Sequence, residues 1–274
     1  MNTPRQSIQE AIPQPPVIED RNTITDLKTP RRILKNGCSW WVNDREPAFW
    51  DRVEQGSWEP ETFRVFDRFL DQDHSCLDIG AWIGPTALYA ACRARHCYAM
   101  EPDPVAFSRL RENARLNPAL DARMSLSPQC LAPARGPVRL GNKTSSTGGD
   151  SMSSLLFAES PVGWNTEGIT LDCFLSDRSI RDCSFIKMDI EGGEFEVLPA
   201  IAEYLAAHRP SLLLSLHPRF LPDAPSRVAA VREALSCYRH AFTPDFRPVP
   251  LEIVCDPATF LSCYELVLSD IDSA

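Results

Sequence analysis

The chain has 274 residues, 43% of them hydrophobic, which is enough for a sizeable core and allows one large domain or a domain with an extension. Its net charge of −9 argues against nucleic acid as the main partner, because phosphate binding requires a basic surface. No uninterrupted apolar run approaches the roughly 18 residues of a membrane span, and the N-terminus has no apolar signal core. We therefore expect a cytoplasmic protein without a membrane partner.

The ten cysteines indicate reduced thiols rather than disulfides or zinc ligands. No two of them form a C-x-x-C pair, and several lie in apolar runs, such as Cys76, Cys97 and Cys263. Buried thiols are typical of a reducing compartment. The cysteine pattern predicts no metal site.

The first part of the chain divides into two segments. Residues 1–30 are polar and proline-rich, which predicts a poorly ordered or loosely docked arm. Residues 31–70 predict two short helices, one from Pro47 to Gln55 and one starting at Pro60. This segment also holds four of the six tryptophans: Trp40, Trp41, Trp50 and Trp58. We expect it to pack on or cover a catalytic domain formed by residues 71–274, with most of its rings filling a core.

The residues after this segment follow the pattern of a nucleotide-binding α/β unit. An apolar run over 76–79 predicts a buried strand, and Gly80 and Gly84 predict a tight turn that opens a helix. Asp78 lies near the end of that strand. Glu101 closes the next predicted strand, 21 residues after Gly80. A strand, a glycine turn, a helix and an acid in this order form half of a nucleotide-binding sheet.

The turn narrows the choice of ligand. The dinucleotide fingerprint G-x-G-x-x-G is absent, because Trp82 stands between the two glycines. The acid before the turn, Asp78, suits an ammonium group, and Glu101 suits ribose hydroxyls. An ammonium group and a ribose without phosphate describe S-adenosylmethionine. The alternative is a buried acid that caps a loop in an unrelated α/β protein.

The middle of the chain predicts further elements of the sheet. Asp103 caps the next helix, and a third strand runs over residues 123–127. Gln129 follows that strand and can reach an adenine amino group, although a loop glutamine without that role is more common. A short strand is predicted over 137–140. Residues 141–154 are rich in Ser, Thr and Gly, which predicts a mobile loop that either closes over a substrate or is simply solvated.

Two later strands carry polar residues at their ends. The fourth strand covers residues 183–190 and leads into a helix reaching about residue 207. Its alternation puts Lys187, Asp189 and Glu191 on one side. The fifth strand, 211–216, ends in His217. A helix over 228–237 and a closing strand over 262–269 that can run antiparallel complete the chain. Ligands of open α/β sheets bind outside the carboxyl ends of strands, which predicts one shared site for Asp78, Glu101, Asp189 and His217.

With these residues in place, the chain resembles the FkbM-type family of S-adenosylmethionine-dependent methyltransferases. The resemblance covers roughly residues 57 to 217. It is carried by Leu77-Asp-Ile-Gly-Ala-Trp-Ile-Gly84, Glu101-Pro102, Asn113 to Asn117, Ile169-Thr-Leu-Asp172 and above all Ile186-Lys-Met-Asp-Ile-Glu-Gly-Gly-Glu194. It implies a class I methyltransferase fold, which is a Rossmann-like, mostly parallel seven-stranded sheet with one antiparallel strand and helices on both faces. It also implies methylation of a hydroxyl oxygen on a small metabolite, sugar or polyketide acceptor.

The resemblance and the strand-end argument together give the expected site. The expected cofactor-binding residues are Asp78, Gly80, Ala81, Trp82, Gly84, Glu101, Pro102 and Gln129. The expected catalytic residues are Asp189, His217 and Lys187. Asp189 and His217 are the candidate bases, and Lys187 is expected to hold Asp189 or a developing oxyanion. For His217, a structural histidine bonded to the backbone is an equal alternative. The family usually has Asn at the position of Trp82, and we expect the tryptophan ring to border the cofactor pocket.

Two other classes of function stay open. A nicotinamide-dependent oxidoreductase on a related fold is weakened by the missing third glycine. A non-catalytic cofactor-binding or scaffold protein is kept open by Trp82, because a bulky ring there can reshape the pocket.

Overall fold

The computed structural model of the chain describes residues 29–144, 147–221, 224–250 and 264–271. The polar arm predicted over residues 1–30 lies almost entirely outside them. The strands are β1 Pro30–Lys35, β2 Cys38–Asn43, β3 Ser75–Ile79, β4 His96–Met100, β5 Met124–Ser127, β6 Cys130–Leu131, β7 Gly136–Asn142, β8 Val162–Ile169, β9 Cys183–Met188, β10 Ser211–Leu216, β11 His240–Phe242 and β12 Tyr264–Ser269. The helices are α1 Pro47–Gln55, α2 Pro60–Phe69, α3 Pro85–Arg93, α4 Pro104–Arg115, α5 Pro118–Asp121, α6 Leu171–Asp177, α7 Glu194–Ala200, α8 Ala202–His208 and α9 Ala224–Leu235.

A seven-stranded sheet forms the centre of the molecule. Its strand order is β11-β12-β10-β9-β3-β4-β5. β12 pairs antiparallel with β10 and β11, and the pairs from β10 to β5 are parallel. The predicted α/β class with a mostly parallel seven-stranded sheet is therefore confirmed. The closing strand is antiparallel as anticipated, and residues 262 and 263 of its predicted range lie outside the described residues.

Side-chain alternation along the central strands separates two hydrophobic clusters. Leu77 and Ile186 belong to the cluster covered by α6 to α9. Cys76 and Phe185 belong to the other cluster, which includes residues of α1 to α4 and the N-terminal hairpin. Asp78 and Lys187 are neighbours across β3 and β9. The period of two places them on the side of this second cluster, here called the aromatic cluster because it contains Trp40, Trp50 and Phe63. The expected site residues Asp78 and Lys187 therefore lie on the same side of the sheet.

The tryptophan-rich segment contains an antiparallel hairpin that the sequence analysis missed. β1 and β2 are joined by Asn36 and Gly37, with φ of 45° and 79°. Asn-Gly with both φ values positive is the usual two-residue hairpin turn, so this dipeptide was an available signal. The predicted helix from Pro47 to Gln55 has the observed bounds of α1. Trp40 and Trp50 are wholly buried in the aromatic cluster.

Three other elements differ from expectation. A small second sheet, ordered β6-β8-β7, takes up the strand predicted over 137–140, and its central strand β8 was not predicted. β11 was missed as well. The single helix predicted to reach residue 207 is two helices, α7 and α8. Pro199 lies inside α7, and the helix ends at Ile201, whose φ of −106° and ψ of 10° depart from helical values. Among the described residues, every helix is too short or too polar to traverse a lipid bilayer.

Two asparagines of α4 and its C-terminal end attach the hairpin to the rest of the molecule. Asn113 Oδ1 accepts a hydrogen bond from the Asn43 backbone N–H at 2.8 Å, and its Nδ2 donates to the Ile83 carbonyl at 2.9 Å. Asn117 bonds both backbone polar groups of Trp41, each at 2.7 Å. These side chains satisfy backbone groups that the two elements cannot pair themselves.

Replacing Asn113 with alanine is expected to destabilise the protein by about 1–3 kcal/mol, because it leaves a buried N–H and a buried carbonyl without their partner. Urea unfolding followed by circular dichroism measures the change. Asn165→Ala, on the exposed part of β8, is the control and should stay within about 0.5 kcal/mol of the wild type. Equal stability of the two variants would show that the hydrogen bonds of Asn113 do not contribute to the attachment of the hairpin.

Candidate functional site

The carboxyl ends of β3, β4, β9 and β10 open into one cavity of about 270 Å³. Nine of the residues expected in the site line it: Gly80, Ala81, Trp82, Glu101, Pro102, Gln129, Lys187, Asp189 and His217. Asp78 and Gly84 are not among its lining residues. The expected residues thus come together where an open α/β sheet binds its ligands.

The turn after β3 is shaped by a close approach of β9. A Cβ atom on Gly80 would lie 1.9 Å from the Asp189 carbonyl oxygen, and Gly80 has a φ of +85°. The Asp189 N–H donates to the Ile79 carbonyl at 3.0 Å, which extends the pairing of the two strands beyond their ends. Any side chain at Gly80 would push Asp189 away. The turn after β3 therefore also sets the position of Asp189.

Trp82 connects three parts of the site. Its backbone N–H donates to Glu101 Oε2 at 2.8 Å, and its indole Nε1 donates to the Gly149 carbonyl at 2.9 Å. The ring meets Phe49 edge-on, with 4.7 Å between the ring centres. Its φ of 49° is unusual for a bulky residue. The tryptophan thus joins the turn, the acid after β4 and the loop that follows β7.

Glu101 presents a buried carboxylate to the cavity. Oε1 accepts from the Asp103 N–H at 2.8 Å, and Oε2 accepts from Trp82. Each carboxylate oxygen has a second lone pair, so both can accept one more hydrogen bond. Burial raises the pKa of Glu101 to about 8, against the effect of the two backbone hydrogen bonds. The carboxylate is therefore suited to a ligand with two neighbouring hydroxyl donors.

The predicted loop over residues 141–154 borders the cavity where it is described. Asp103 Oδ2 accepts from the Gly149 N–H at 2.7 Å and from Ser153 Oγ at 3.0 Å. The same side chain caps α4 through its other oxygen, which accepts from the Val105 N–H at 2.8 Å. Four residues of this loop line the cavity: Asp150, Ser151, Ser153 and Ser154. The helix cap that the sequence predicted is therefore also the anchor of the loop.

A buried ion pair lies directly below the turn. Lys187 Nζ is 3.2 Å from Asp78 Oδ1 and donates to the Gly80 carbonyl at 3.1 Å. Thr86 Oγ1 donates to the other Asp78 oxygen at 2.6 Å. Burial opposes the charge on Lys187, but the carboxylates of Asp78 and Asp189 outweigh it and raise the pKa of the lysine. The cation that the structure places beside Asp78 is thus this lysine, whereas the sequence suggested a ligand's ammonium group.

His217 lies among three carboxylates. Its Nε2 is 3.8 Å from Asp189 Oδ1 and 3.6 Å from Glu191 Oε2, and its Nδ1 is 3.4 Å from Glu194 Oε1. The ring stacks on Phe220 at 6.0 Å. Asp189 and His217, predicted at the ends of neighbouring strands, therefore face each other across the end of the sheet.

Some lining residues were not assigned from the sequence. Glu191 stood on the same side of the predicted strand as Asp189, and this alternation was the available signal. Glu265 projects from β12 opposite Ser215, which follows from the register of the antiparallel pair. Glu59 precedes α2 with a φ of 40°, and no sequence pattern pointed to it. Burial, helped by the charge of Asp189, raises the pKa of Glu59 to about 8.

Comparison with known proteins gives a consistent family. The sequence profile of the Methyltransferase FkbM domain matches residues 78–242. Hexuronic acid methyltransferase AglP of Haloferax volcanii is 27% identical over 166 residues, which cover 56% of this chain and 61% of AglP. The chain therefore matches less than two thirds of that relative.

Solved structures are similar only at low identity. Methyltransferase FkbM from Methylobacillus flagellatus is 19% identical with a TM-score of 0.39, and the match covers 72% of this chain and 44% of that one. A TehB-like SAM-dependent methyltransferase from Corynebacterium glutamicum is 12% identical with a TM-score of 0.44, covering 82% and 96%.

The buried ion pair allows a direct test of its energetics. Lys187→Met should lower the free energy of unfolding by about 3–5 kcal/mol, because it leaves the Asp78 carboxylate buried without its cation. The double variant Asp78→Asn, Lys187→Met removes both charges and should recover part of that loss in urea unfolding. A double variant as unstable as the single one would indicate that the lost hydrogen bond to the Gly80 carbonyl, and not the unpaired charge of Asp78, causes the destabilisation.

Proposed function

The chain belongs to the FkbM family of methyltransferases, and on that premise we propose that it transfers a methyl group from S-adenosylmethionine to a hydroxyl oxygen of a small metabolite, sugar or polyketide-type acceptor. The observation that carries this proposal is the shared cavity. In this cavity Glu101, a carboxyl group suited to binding ribose hydroxyls, lies together with Asp189 and His217, the polar residues that follow β9 and β10.

The lining residues around Glu101 and the turn after β3, here called the cofactor half of the cavity, fit the cofactor. Both oxygens of Glu101 keep a lone pair for the two ribose hydroxyls, and such charge-assisted hydrogen bonds are worth about 1.5–3 kcal/mol each. Ile79, Met100 and Leu131 supply apolar lining on which an adenine can lie. When bound, S-adenosylmethionine supplies the methyl group on a positively charged sulfur.

Two expected cofactor residues acquire more specific roles. Gln129 Oε1 already accepts from Arg178 at 2.9 Å and from Ser127 Oγ at 3.2 Å. Its amide nitrogen is therefore the group to offer to adenine, as a donor to a ring nitrogen rather than an acceptor from the amino group. Trp82 would border the cofactor, with its ring held in place by Phe49 and Gly149.

The lining residues around Asp189 and His217, here called the acceptor half of the cavity, would hold the acceptor. Methyl transfer needs the acceptor oxygen close to the methyl carbon and in line with the leaving sulfur. Asp189 and His217 lie at the end of the sheet, where they can orient that hydroxyl and draw off its proton as the oxygen attacks. Lys187 Nζ lies 4.0 Å from Asp189 Oδ2, so the lysine would keep Asp189 oriented.

The charge of the acceptor half bears on the substrate class. Glu191 and Glu265 line it together with Asp189, and of the two lining basic side chains, Arg52 and Lys187, the lysine is already paired with Asp78. AglP, by its name, acts on a hexuronic acid. In this chain a carboxylate-bearing acceptor would meet like charges unless a cation compensates them, so uncharged hydroxyl acceptors are favoured.

The cofactor assignment is tested by calorimetry with S-adenosylmethionine. Glu101→Ala should weaken binding by about 2–3 kcal/mol, because the ribose loses its charged acceptor. Glu101→Gln keeps the shape and one carbonyl oxygen, so its loss should be smaller. Circular dichroism confirms that both variants remain folded, and unchanged affinity in both would overturn the assignment.

The same titration has a distinct pH dependence. Because the pKa of Glu101 in the unliganded protein is raised to about 8, the group is largely protonated at pH 6.5 and ionised at pH 9. Only the ionised form accepts from both hydroxyls with a full charge, so wild-type affinity should rise across this range. Glu101→Gln is the matched control, which subtracts any titration of the cofactor's own amine. Parallel profiles for both proteins would contradict the role of this carboxylate.

Variants of the strand-end residues should separate the chemical step from cofactor binding. Asp189→Asn and His217→Ala should keep cofactor affinity within a few-fold but lower turnover by roughly 10²–10⁴, the usual worth of a positioned acid or base. Acceptors are found by mass spectrometry of sugars and other hydroxyl compounds that gain one methyl with the wild type but not with Asp189→Asn. A His217→Ala protein with lower thermal stability and normal turnover would assign the histidine a structural role. Cofactor binding without turnover across a broad panel would favour a non-catalytic protein.

A further inference from the structure

Asp189, Glu191 and His217 together have the composition and spacing of a metal-ligand set. Each offers one ligand atom, and the three atoms lie within 4.8 Å of one another. The contacts from His217 Nε2 to the two carboxylates, at 3.6 and 3.8 Å, are longer than hydrogen bonds. Two ligands about 2.1 Å from a common ion are about 3–3.5 Å apart at tetrahedral or octahedral angles. Small side-chain rotations would therefore bring all three atoms into one coordination sphere.

The imidazole has a buried carboxylate beside its outer nitrogen. His217 is more than nine-tenths buried, its Nε2 faces the cluster, and its Nδ1 lies 3.4 Å from Glu194 Oε1. Glu194 is itself fully buried and accepts from the Ile190 N–H at 2.7 Å and from the Gly192 N–H at 2.8 Å. A carboxylate behind the outer nitrogen of a metal-bound histidine is the usual arrangement that fixes the tautomer and the ring orientation.

Glu194 also positions a second ligand. The backbone N–H groups that it bonds belong to the residues on either side of Glu191, whose φ of 54° turns its side chain at the start of this loop. One buried carboxylate thus organises both the imidazole and the loop that carries Glu191. All three ligand residues line the cavity, so an ion held by them would have open positions toward the acceptor.

The electrostatics of the cluster also favour a cation. Asp189, Glu191 and Glu194 surround one imidazole, and the lysine nearest to Asp189 is paired with Asp78. Like charges at such short separations raise the free energy of the ionised carboxylates. A divalent ion would compensate them and would also let an acidic or chelating acceptor approach.

We propose that Asp189, Glu191 and His217 bind one divalent transition-metal ion, of the Mn²⁺ or Zn²⁺ class, and that this ion holds the acceptor oxygen. With the ion bound, His217 is a ligand and not the base, and the second oxygen of Asp189 is left to accept the proton of the acceptor hydroxyl. One nitrogen and two carboxylate oxygens suit such ions better than a site built only from oxygens. The role toward the acceptor rests on the proposed methyl transfer, whereas binding of the ion does not. The competing arrangement is a protonated His217 that bridges the carboxylates by ion pairs without any metal.

The test is a titration of the metal-free full chain with Mn²⁺, followed by the loss of the electron paramagnetic resonance signal of the free ion. The wild type should bind one Mn²⁺ per chain. Glu191→Gln, which preserves size, and His217→Ala should each raise the dissociation constant at least tenfold. Glu233→Gln, the same change at an exposed position of α9, is the control and should bind as the wild type does.

Calorimetry with S-adenosylmethionine on the same samples separates this proposal from the proposed function. Absence of saturable Mn²⁺ binding in a wild type that binds the cofactor would overturn the metal site and favour the bridging imidazolium. Mn²⁺ binding unchanged in both variants would equally overturn it, because the ion would then lie elsewhere. Mn²⁺ binding without cofactor binding would support the metal site and contradict the methyltransferase. Turnover that is lost on chelation and restored by Mn²⁺ in the wild type would support the role toward the acceptor, and turnover indifferent to chelation would overturn that role.

Discussion

The buried contact of Lys187 with Asp78 and the Gly80 carbonyl is the interaction on which the site depends. It joins the end of β9 to the turn after β3, at 3.2 and 3.1 Å. A lysine buried to this degree is tolerated only when its charge is compensated. The same ammonium lies 4.0 Å from Asp189. One buried cation thus fixes the position of both the turn after β3 and the acid that follows β9.

The residues before β3 complete the cavity rather than merely covering a sheet edge. Phe49 packs against Trp82, and Trp58 packs against Phe49 with 5.1 Å between ring centres. Trp82 then carries this support to Glu101 through its backbone N–H and to the loop after β7 through its indole. An asparagine at this position would lack the ring that packs against Phe49. Trp82 and the aromatic side chains before β3 therefore support the cavity wall together.

The elements best predicted from the sequence are those with strong local signals. Helix α1 begins at Pro47 and ends before Gly56, and these residues punctuate the chain whatever the tertiary context. The strand-end residues were also predictable, because parallel strands that begin together end together. The division of the last predicted α-helix before β10 into α7 and α8 was not predicted, because this needed the cost of Pro199 to be weighed against a long apolar pattern. Strand β8 was not predicted either. Glu59 was beyond prediction, because only the folding of α2 against the sheet brings it to Asp189, as its shifted pKa reflects.

His217 shows how a question left open by sequence acquires a physical answer. Sequence offered a catalytic base or a histidine bonded to the backbone. In the structure both ring nitrogens face carboxylates, Nε2 toward Asp189 and Glu191 and Nδ1 toward Glu194. A histidine that only stabilised the strand end would need one such partner, and each further carboxylate would add repulsion among the acids. The arrangement becomes favourable when a positive charge sits between the groups, either on the imidazole itself or on an ion that it helps to bind.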